Sequence, residues 1–143
     1  MSLTLNLPEP LFKRAVERYY ELYKNYGGHK EWVMQSEDAV PIFEGFGPNA
    51  YLTRSGRVLM DPHGYCEGPI YEATEDEVHI YMNFGVRLLK MPELLDILPP
   101  RPEKSETCRE CQGRKWRPPD EQGREGLWCR KCTAKGWVRL KEE

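Results

Sequence analysis

Four of the five cysteines in this 143-residue chain lie in two Cys-x-x-Cys turns near its C-terminal end. Seventeen residues separate the two turns, a spacing typical of sites where four cysteines bind one zinc ion. Two intervening residues let one tight turn direct both sulfurs to the same ion, and zinc prefers four tetrahedral ligands. The sequence therefore predicts one structural zinc, with Cys108, Cys111, Cys129 and Cys132 as its ligands.

The two turns are also copies of each other. Residues 108–116 read CRECQGRKW and residues 129–137 read CRKCTAKGW, so both copies share the cysteines, the following arginine and a closing tryptophan. Gly113 and Ala134 are small residues at equivalent positions, where backbone N–H groups must turn toward the sulfurs and orient them. A repeat of 21 residues, present twice, predicts two halves of one pseudo-symmetric metal site.

Two disulfides are the alternative interpretation of the four cysteines. The chain opens MSLTLNLPEP, without the basic start and apolar run of a secretory signal. We therefore expect a cytoplasmic, reducing compartment, where paired cysteines more often bind metal than form bridges. The fifth cysteine, Cys66, is expected to lie outside the metal site.

The segment 108–136 resembles the cysteine-rich zinc-binding region of DnaJ-type co-chaperones, whose repeat reads CxxCxGxG. The first copy retains Gly113 and has Lys115 at the second glycine position, whereas the second copy has Ala134 at the first position and retains Gly136. The resemblance implies a zinc-knuckle fold. The family has four repeats and two zinc sites, so the two repeats here suffice for one site. The sequence contains no His-Pro-Asp motif of a J-domain, and no co-chaperone activity is implied.

Charge and proline content divide the chain near residue 100. Residues 1–100 contain 9 Lys or Arg against 15 Asp or Glu, whereas residues 101–143 contain 12 against 8. Three prolines follow Leu98 within four positions, and proline fixes φ and disfavours helix in the preceding residue. We predict an acidic domain over 1–100, a connector over 101–107 and a zinc-ribbon module over 108–143. No apolar run reaches the length of a membrane span.

Residues 1–100 show the pattern of a small α+β domain. Apolar residues recur at three- and four-residue spacings over 10–26, which predicts an amphipathic helix with a stripe of tyrosines. Alternation of apolar residues predicts a hairpin in which 51–53 pairs with 58–60 across Arg54-Ser55-Gly56-Arg57.

A second pair of strands is predicted over 70–74 and 78–84, with the acidic run 75–77 as its turn, and a short closing helix over 91–98. Helices before and after a run of strands predict an antiparallel sheet with flanking helices. This order of elements resembles SUKH-type domains, and the resemblance implies a toxin-neutralising immunity or partner-binding role.

One polar cluster raises the question of catalysis. His63 and Cys66 lie close together in a Pro- and Gly-rich loop, where a cysteine nucleophile beside a histidine base is conceivable. Nucleophile and base normally converge from separated segments, however, and a free cysteine usually behaves as a small buried hydrophobe. We expect no enzymatic activity and no small-molecule substrate.

Basic residues alternate with tryptophans in the C-terminal module, a pattern that suits single-stranded nucleic acid. The excess of four positive charges is modest for such a binder, because four thiolates on one zinc remove two of them. We therefore expect a protein–protein interaction module, with nucleic-acid binding as the alternative. The residues expected at the partner surface are Trp128, Arg114, Lys115 and Arg117.

Overall fold

A computed structural model of the chain describes residues 3–23, 28–44, 48–62, 69–116, 121–122 and 126–140. The chain divides into two compact units, Met1–Leu98 and Pro99–Glu143. The first unit packs helices against an antiparallel sheet, and the second is organised around the four paired cysteines. Within the described ranges, no helix is both long and apolar enough to cross a membrane.

The first unit is an α+β fold, as the sequence predicts. Its elements in chain order are α1 (Glu9–Tyr23), α2 (Gly28–Ser36), β1 (Ala39–Glu44), β2 (Asn49–Thr53), β3 (Val58–Asp61), β4 (Tyr71–Glu72), α3 (Glu75–Leu89) and a 3-10 helix over Pro92–Ile97. The four strands form an antiparallel sheet in the order β1-β2-β3-β4, with an irregularity of register between Pro41 and Phe43. All three α-helices contact β1, so the core lies between β1 and the helical layer.

The predicted hairpin is confirmed, because β2 and β3 pair with Leu52 opposite Val58. Its turn needs glycine at position 56, where φ is +91°. The N-terminal segment crosses this turn, and the Leu5 N–H donates to the Gly56 carbonyl at 2.7 Å. A Cβ atom at position 56 would lie 2.0 Å from the carbonyl oxygen of Leu5, so the close approach also requires glycine.

The predicted strand over 78–84 is wrong, because these residues belong to helix α3. Thr74 and Glu77 form a capping box: the Thr74 hydroxyl accepts from the Glu77 N–H, and the Glu77 carboxylate accepts from the Thr74 N–H. The acidic residues 75–77, interpreted as a turn between strands, form the first helical turn, where negative charge favours the helix dipole. Strand β4 pairs with β3 instead.

Helix α1 ends at Tyr23 within the described residues, and the remainder of the predicted helix, 24–26, lies outside them. Its buried face consists of Phe12, Ala15 and Tyr19, whereas Tyr23 of the predicted stripe is exposed. The Tyr19 hydroxyl donates to Glu44 at 3.2 Å, so its ring is in the core and its polar end is satisfied.

The second unit contains two short strands, β5 (Ser105–Thr107) and β6 (Trp137–Arg139), which pair in antiparallel fashion. The last three residues of the segment predicted as a connector therefore form a strand. Cys108 follows β5 directly, and Cys132 precedes β6 by five residues. The pairing of β5 with β6 brings the two cysteine turns to the same place.

Candidate metal centre

The four predicted ligands come together in one buried cluster. All four sulfur atoms lie within 4.8 Å of one another, and all four cysteines are buried. The Sγ atoms of Cys108 and Cys129 are 3.8 Å apart, and those of Cys111 and Cys132 are 3.7 Å apart. This cluster can hold a metal ion.

The sulfur separations match the size of a zinc site. Four sulfurs placed tetrahedrally at about 2.3 Å from zinc are about 3.8 Å from one another, from the geometry of a regular tetrahedron. A disulfide requires sulfurs about 2.05 Å apart, and all four cysteines of the cluster are free thiols here. The geometry therefore favours metal binding over the two-disulfide alternative.

Backbone N–H groups point at the sulfurs from within each turn. We call residues 108–116 the first knuckle and residues 129–137 the second. The Lys115 N–H donates to the Cys111 sulfur at 3.4 Å, and the Gly136 N–H donates to the Cys132 sulfur at 3.3 Å. Each donor lies four residues after its cysteine, so the same local conformation serves both knuckles. Such hydrogen bonds orient metal ligands and stabilise the thiolate form.

The two knuckles share one unusual backbone pattern. Left-handed φ values occur at three positions of the first knuckle, namely Gln112, Gly113 and Lys115, and at the three equivalent positions of the second, namely Thr133, Ala134 and Gly136. The φ values range from 52° to 85°. The two glycines of the CxxCxGxG repeat correspond to two of these left-handed positions, and each knuckle retains one of them. The repeat in the sequence is thus a repeat of backbone conformation.

Hydrogen bonds between the knuckles obey the same symmetry. The Cys108 N–H donates to the Gly136 carbonyl at 3.0 Å, and the Cys129 N–H donates to the Lys115 carbonyl at 2.8 Å. If 21 is added to the residue number of the donor and subtracted from that of the acceptor, the first bond becomes the second. The two knuckles therefore exchange equivalent bonds around an approximate two-fold axis.

The pseudo-symmetry extends beyond the knuckles to their flanking strands. Thr107 pairs with Trp137 where β5 meets β6. Its counterpart under the same operation is the isolated bridge between Trp128 and Trp116, which is also antiparallel. The predicted pseudo-symmetric site is present in the backbone hydrogen bonding as well as in the sequence.

The thiols differ in acidity in the absence of metal. Burial raises the pKa of Cys111, but the Lys115 N–H and the Cys132 thiol lower it by more, to about 7. Burial and the neighbouring sulfurs raise the pKa of Cys132 to about 12 against the opposing Gly136 N–H. Burial also raises the pKa of Cys108. A metal ion bound here would displace the protons of these thiols, and the cysteines would bind it as thiolates.

The residues predicted at the partner surface have different environments. Trp128 is exposed, with 36% of its surface accessible, and the neighbouring Leu127 is 54% exposed. Trp137 is only 5% exposed, and the Lys135 ammonium lies 4.2 Å from the centre of its ring. Arg114 is exposed and its Nε donates to the Cys111 carbonyl at 3.1 Å.

Lys115 is half-buried, and its aliphatic stem lies against Gly136, where an added Cβ would approach it to 3.3 Å. Lys115 therefore has a structural role in joining the two knuckles. Arg117 lies outside the described residues, as do His63 and Cys66, so the catalytic alternative stays a prediction about positions that the structure does not describe.

A cleft of about 290 Å³ opens beside the metal centre. Its lining residues come from both knuckles: Glu110, Cys111, Arg114, Trp116, Cys129, Arg130 and Lys131. It therefore presents two arginines, a lysine and an indole ring to solvent, with one carboxylate among them. The sequence indicated basic residues alternating with tryptophans but gave no indication that they line a common cleft.

One contact in the first unit, a hydrogen bond between a histidine and a buried aspartate, was not predicted from the sequence. His29 Nε2 lies 2.8 Å from Asp61 Oδ2, with the aspartate side chain fully buried. Asp61 ends β3 and His29 lies at the start of α2, so 32 residues separate them along the chain. The exposed ring of Trp32 stacks on His29, with ring centres 5.7 Å apart. No local motif signals this contact, because it depends on tertiary packing.

Comparison with protein families, curated proteins and solved structures finds no match to this chain. The resemblance to the DnaJ-type region therefore depends on residues 108–136 alone, and the resemblance to SUKH-type domains on the order of elements alone. The metal-centre assignment stands on the geometry of the four cysteines.

Proposed function

We propose that this protein is a non-catalytic zinc-binding protein whose C-terminal unit is a protein–protein interaction module. The observation that carries the zinc assignment is the buried cluster of four sulfurs at separations of 3.7 and 3.8 Å in two pairs. Four thiolates form a soft ligand set that selects zinc among the common cellular divalent ions. Four protein ligands leave no open coordination position, which is typical of structural zinc.

The interaction role is supported by the surface beside the metal. Leu127 and Trp128 are adjacent, large, apolar and exposed, next to a ligand that zinc would fix in place. Tryptophan is enriched among the residues that dominate binding at protein interfaces. A small unit fixed by metal can therefore present an aromatic anchor on a rigid backbone.

Single-stranded nucleic acid is the second candidate, and one observation favours it. The cleft beside the metal combines the Trp116 ring with Arg114 and Arg130. Stacking on an aromatic ring together with phosphate contacts is the usual mode of binding single strands. Such binding must weaken steeply as salt concentration rises, because cations on the protein displace counterions from phosphates.

Metal content tests the zinc assignment. We expect one zinc per chain in protein purified under reducing conditions, measured by elemental analysis, and loss of that zinc in Cys129→Ser. Cys66→Ser is the matched control, because it also removes one thiol and should retain the zinc. Two metals per chain, or an unchanged content in Cys129→Ser, would contradict the proposed site.

Partner capture tests the interaction role. We expect immobilised zinc-loaded protein to retain a partner from nuclease-treated native lysate, and Leu127→Ser to lose it while keeping its zinc. Glu121→Ser, an exposed residue outside the apolar pair, serves as the control. Capture that disappears with nuclease treatment would favour the nucleic-acid alternative, and capture indifferent to Leu127→Ser would contradict this surface.

A further inference from the structure

Charged residues break the pseudo-symmetry of the metal centre, beginning with a salt bridge that only the first knuckle has. Arg109 of the first knuckle lies 3.6 Å from the carboxylate of Glu106, three residues earlier in β5. Its equivalent in the second knuckle is Arg130, and the residue three positions earlier is Leu127. The second knuckle therefore has the arginine without the carboxylate.

The charges around Arg130 reinforce this asymmetry. Arg130 and Lys131 are both exposed, and neither forms a salt bridge within the described part of the chain. Both line the cleft beside the metal centre, together with the guanidinium of Arg114. At the position equivalent to Lys131 the first knuckle has Glu110, so the Cys-x-x-Cys turn of the second knuckle contains two basic residues and no acidic one.

The aromatic positions differ in the same way. Trp137 is covered: it lies in β6, pairs with β5 and has the Lys135 ammonium over its ring. Its equivalent, Trp116, is half-buried and forms a wall of the open cleft. The strand that pairs with Trp137 contains Glu106, whereas the equivalent segment beside Trp116 contains Leu127 and lies next to the open cleft.

We propose that the cleft beside the metal centre binds an acidic segment of a partner protein, which supplies the carboxylate that Leu127 lacks. The partner's carboxylate pairs with Arg130 and Lys131, as Glu106 pairs with Arg109, and an apolar partner side chain covers Leu127 and Trp128. The proposal rests on the proposed protein-binding function and specifies the chemistry of the partner.

The acidic groups near the cleft favour an acidic peptide over a nucleic acid. Glu110 lines the same cleft, directly beside the cysteines that become thiolates when metal binds. A nucleic acid brings one negative charge with every nucleotide and would place several near these groups, whereas a peptide can bring one carboxylate on a neutral backbone.

The test uses the full-length zinc-loaded protein and fluorescence anisotropy. The probes are a fluorescein-labelled nonapeptide that contains one glutamate beside one leucine among serine residues, the same peptide with glutamine for glutamate, and labelled oligothymidine. We expect the glutamate peptide to bind about tenfold more tightly than the glutamine peptide, because charged groups at an interface set specificity. Chemical shifts of amides in 110–116 and 126–131 should change on binding.

Three variants locate the effect. The double variant with Arg130→Gln and Lys131→Gln should lose the preference for the glutamate peptide. The matched control Arg109→Gln should keep that preference, because Arg109 is already paired with Glu106. Leu127→Glu should also weaken binding, because it recreates the carboxylate that the first knuckle has. Zinc content measured on each variant verifies that the metal centre is intact.

Equal binding of the two peptides, or tighter binding of oligothymidine, would overturn the proposal. Binding lost equally in Arg109→Gln and in the Arg130 and Lys131 variant would overturn it as well. If the glutamate peptide does not bind but capture of a partner still depends on Leu127, the acidic-partner inference fails and the proposed interaction role stands. If capture fails as well, both fail.

Discussion

Lys115 and Gly136 occupy equivalent positions in the two knuckles and share a left-handed backbone, with φ of 74° and 85°. Each donates its N–H to the sulfur of the cysteine four residues earlier. Only one of the two is glycine. The conformation is therefore imposed by the metal site, and the lysine adopts it at an energetic cost.

That cost predicts opposite effects of two substitutions on metal affinity. Gly136→Ala should weaken zinc binding by about 2 kcal/mol, since a left-handed residue with a Cβ costs roughly 1–2 kcal/mol, and its Cβ would lie 3.2 Å from the Gly113 carbonyl oxygen. Lys115→Gly relieves a backbone cost of roughly 1–2 kcal/mol but removes the side-chain stem that lies against Gly136. We therefore expect zinc binding to strengthen by less than about 1 kcal/mol. Competition with a colorimetric chelator measures both values.

The control for Lys115→Gly is Lys135→Gly, because residue 135 is also a lysine of the centre but lacks a positive φ. Its replacement removes the contact with Trp137 and should weaken zinc binding. Weaker binding in both lysine variants would contradict the assigned backbone cost.

Chelation should unfold the second unit and leave the first folded. Structural zinc contributes roughly 10–16 kcal/mol of apparent folding free energy in small zinc peptides. The buried cluster of the second unit centres on its four cysteines, whereas the first unit has its own apolar core. Limited proteolysis after chelation should cleave beyond Leu98 and leave a stable N-terminal fragment. Loss of both units together would show that they depend on one another for stability.

Gly56→Ala should strongly destabilise the first unit. The added methyl would lie 2.0 Å from the Leu5 carbonyl oxygen at a residue whose φ is +91°, so the backbone of Leu5 must move. We expect a loss of about 3 kcal/mol, more than the roughly 1–2 kcal/mol of the backbone conformation alone. Gly28→Ala is the matched control, since φ is +75° there but nothing lies within 4 Å of the new methyl. Urea denaturation of the two variants should therefore give different losses.

Asp61→Ala should destabilise the first unit by about 2 kcal/mol, because it removes a fully buried side chain together with its hydrogen bond to the half-buried His29. The pair is fully buried on the aspartate side. Arg54→Ala, which breaks the exposed ion pairs with Glu9 and Asp38, should cost under about 1 kcal/mol. Similar losses in the two variants would show that burial does not determine the energy of these contacts.

The metal centre was predictable from sequence because its ligands are local. The two cysteines of each Cys-x-x-Cys motif lie in one turn, so the site of four ligands forms as soon as the two turns are adjacent. The sequence repeat indicates that the two turns are related by pseudo-symmetry. The asymmetry between Glu106 and Leu127 was also present in the sequence. It has meaning only once the pairing of β5 with β6 shows which residues are equivalent.

Helix α3 was misassigned because its apolar residues fit two periods at once. Val78, Ile80, Met82 and Phe84 alternate as in a strand, but the fully buried positions Val78, Met82 and Leu89 follow helical spacing. The capping residues Thr74 and Glu77 were the deciding local signal. Helix α2 and the contact of His29 with Asp61 had no comparable signal, since both depend on packing against distant strands.

The pairing of β5 with β6 has a consequence for the topology of the metal-binding unit. The Leu140 N–H donates to the Lys104 carbonyl at 2.9 Å, so the two ends of the segment 104–140 lie side by side. A segment whose ends lie side by side can replace a surface loop of an unrelated protein without distorting that protein. Residues 104–140 are therefore suited to insertion into another protein, as a segment whose fold bound metal would stabilise.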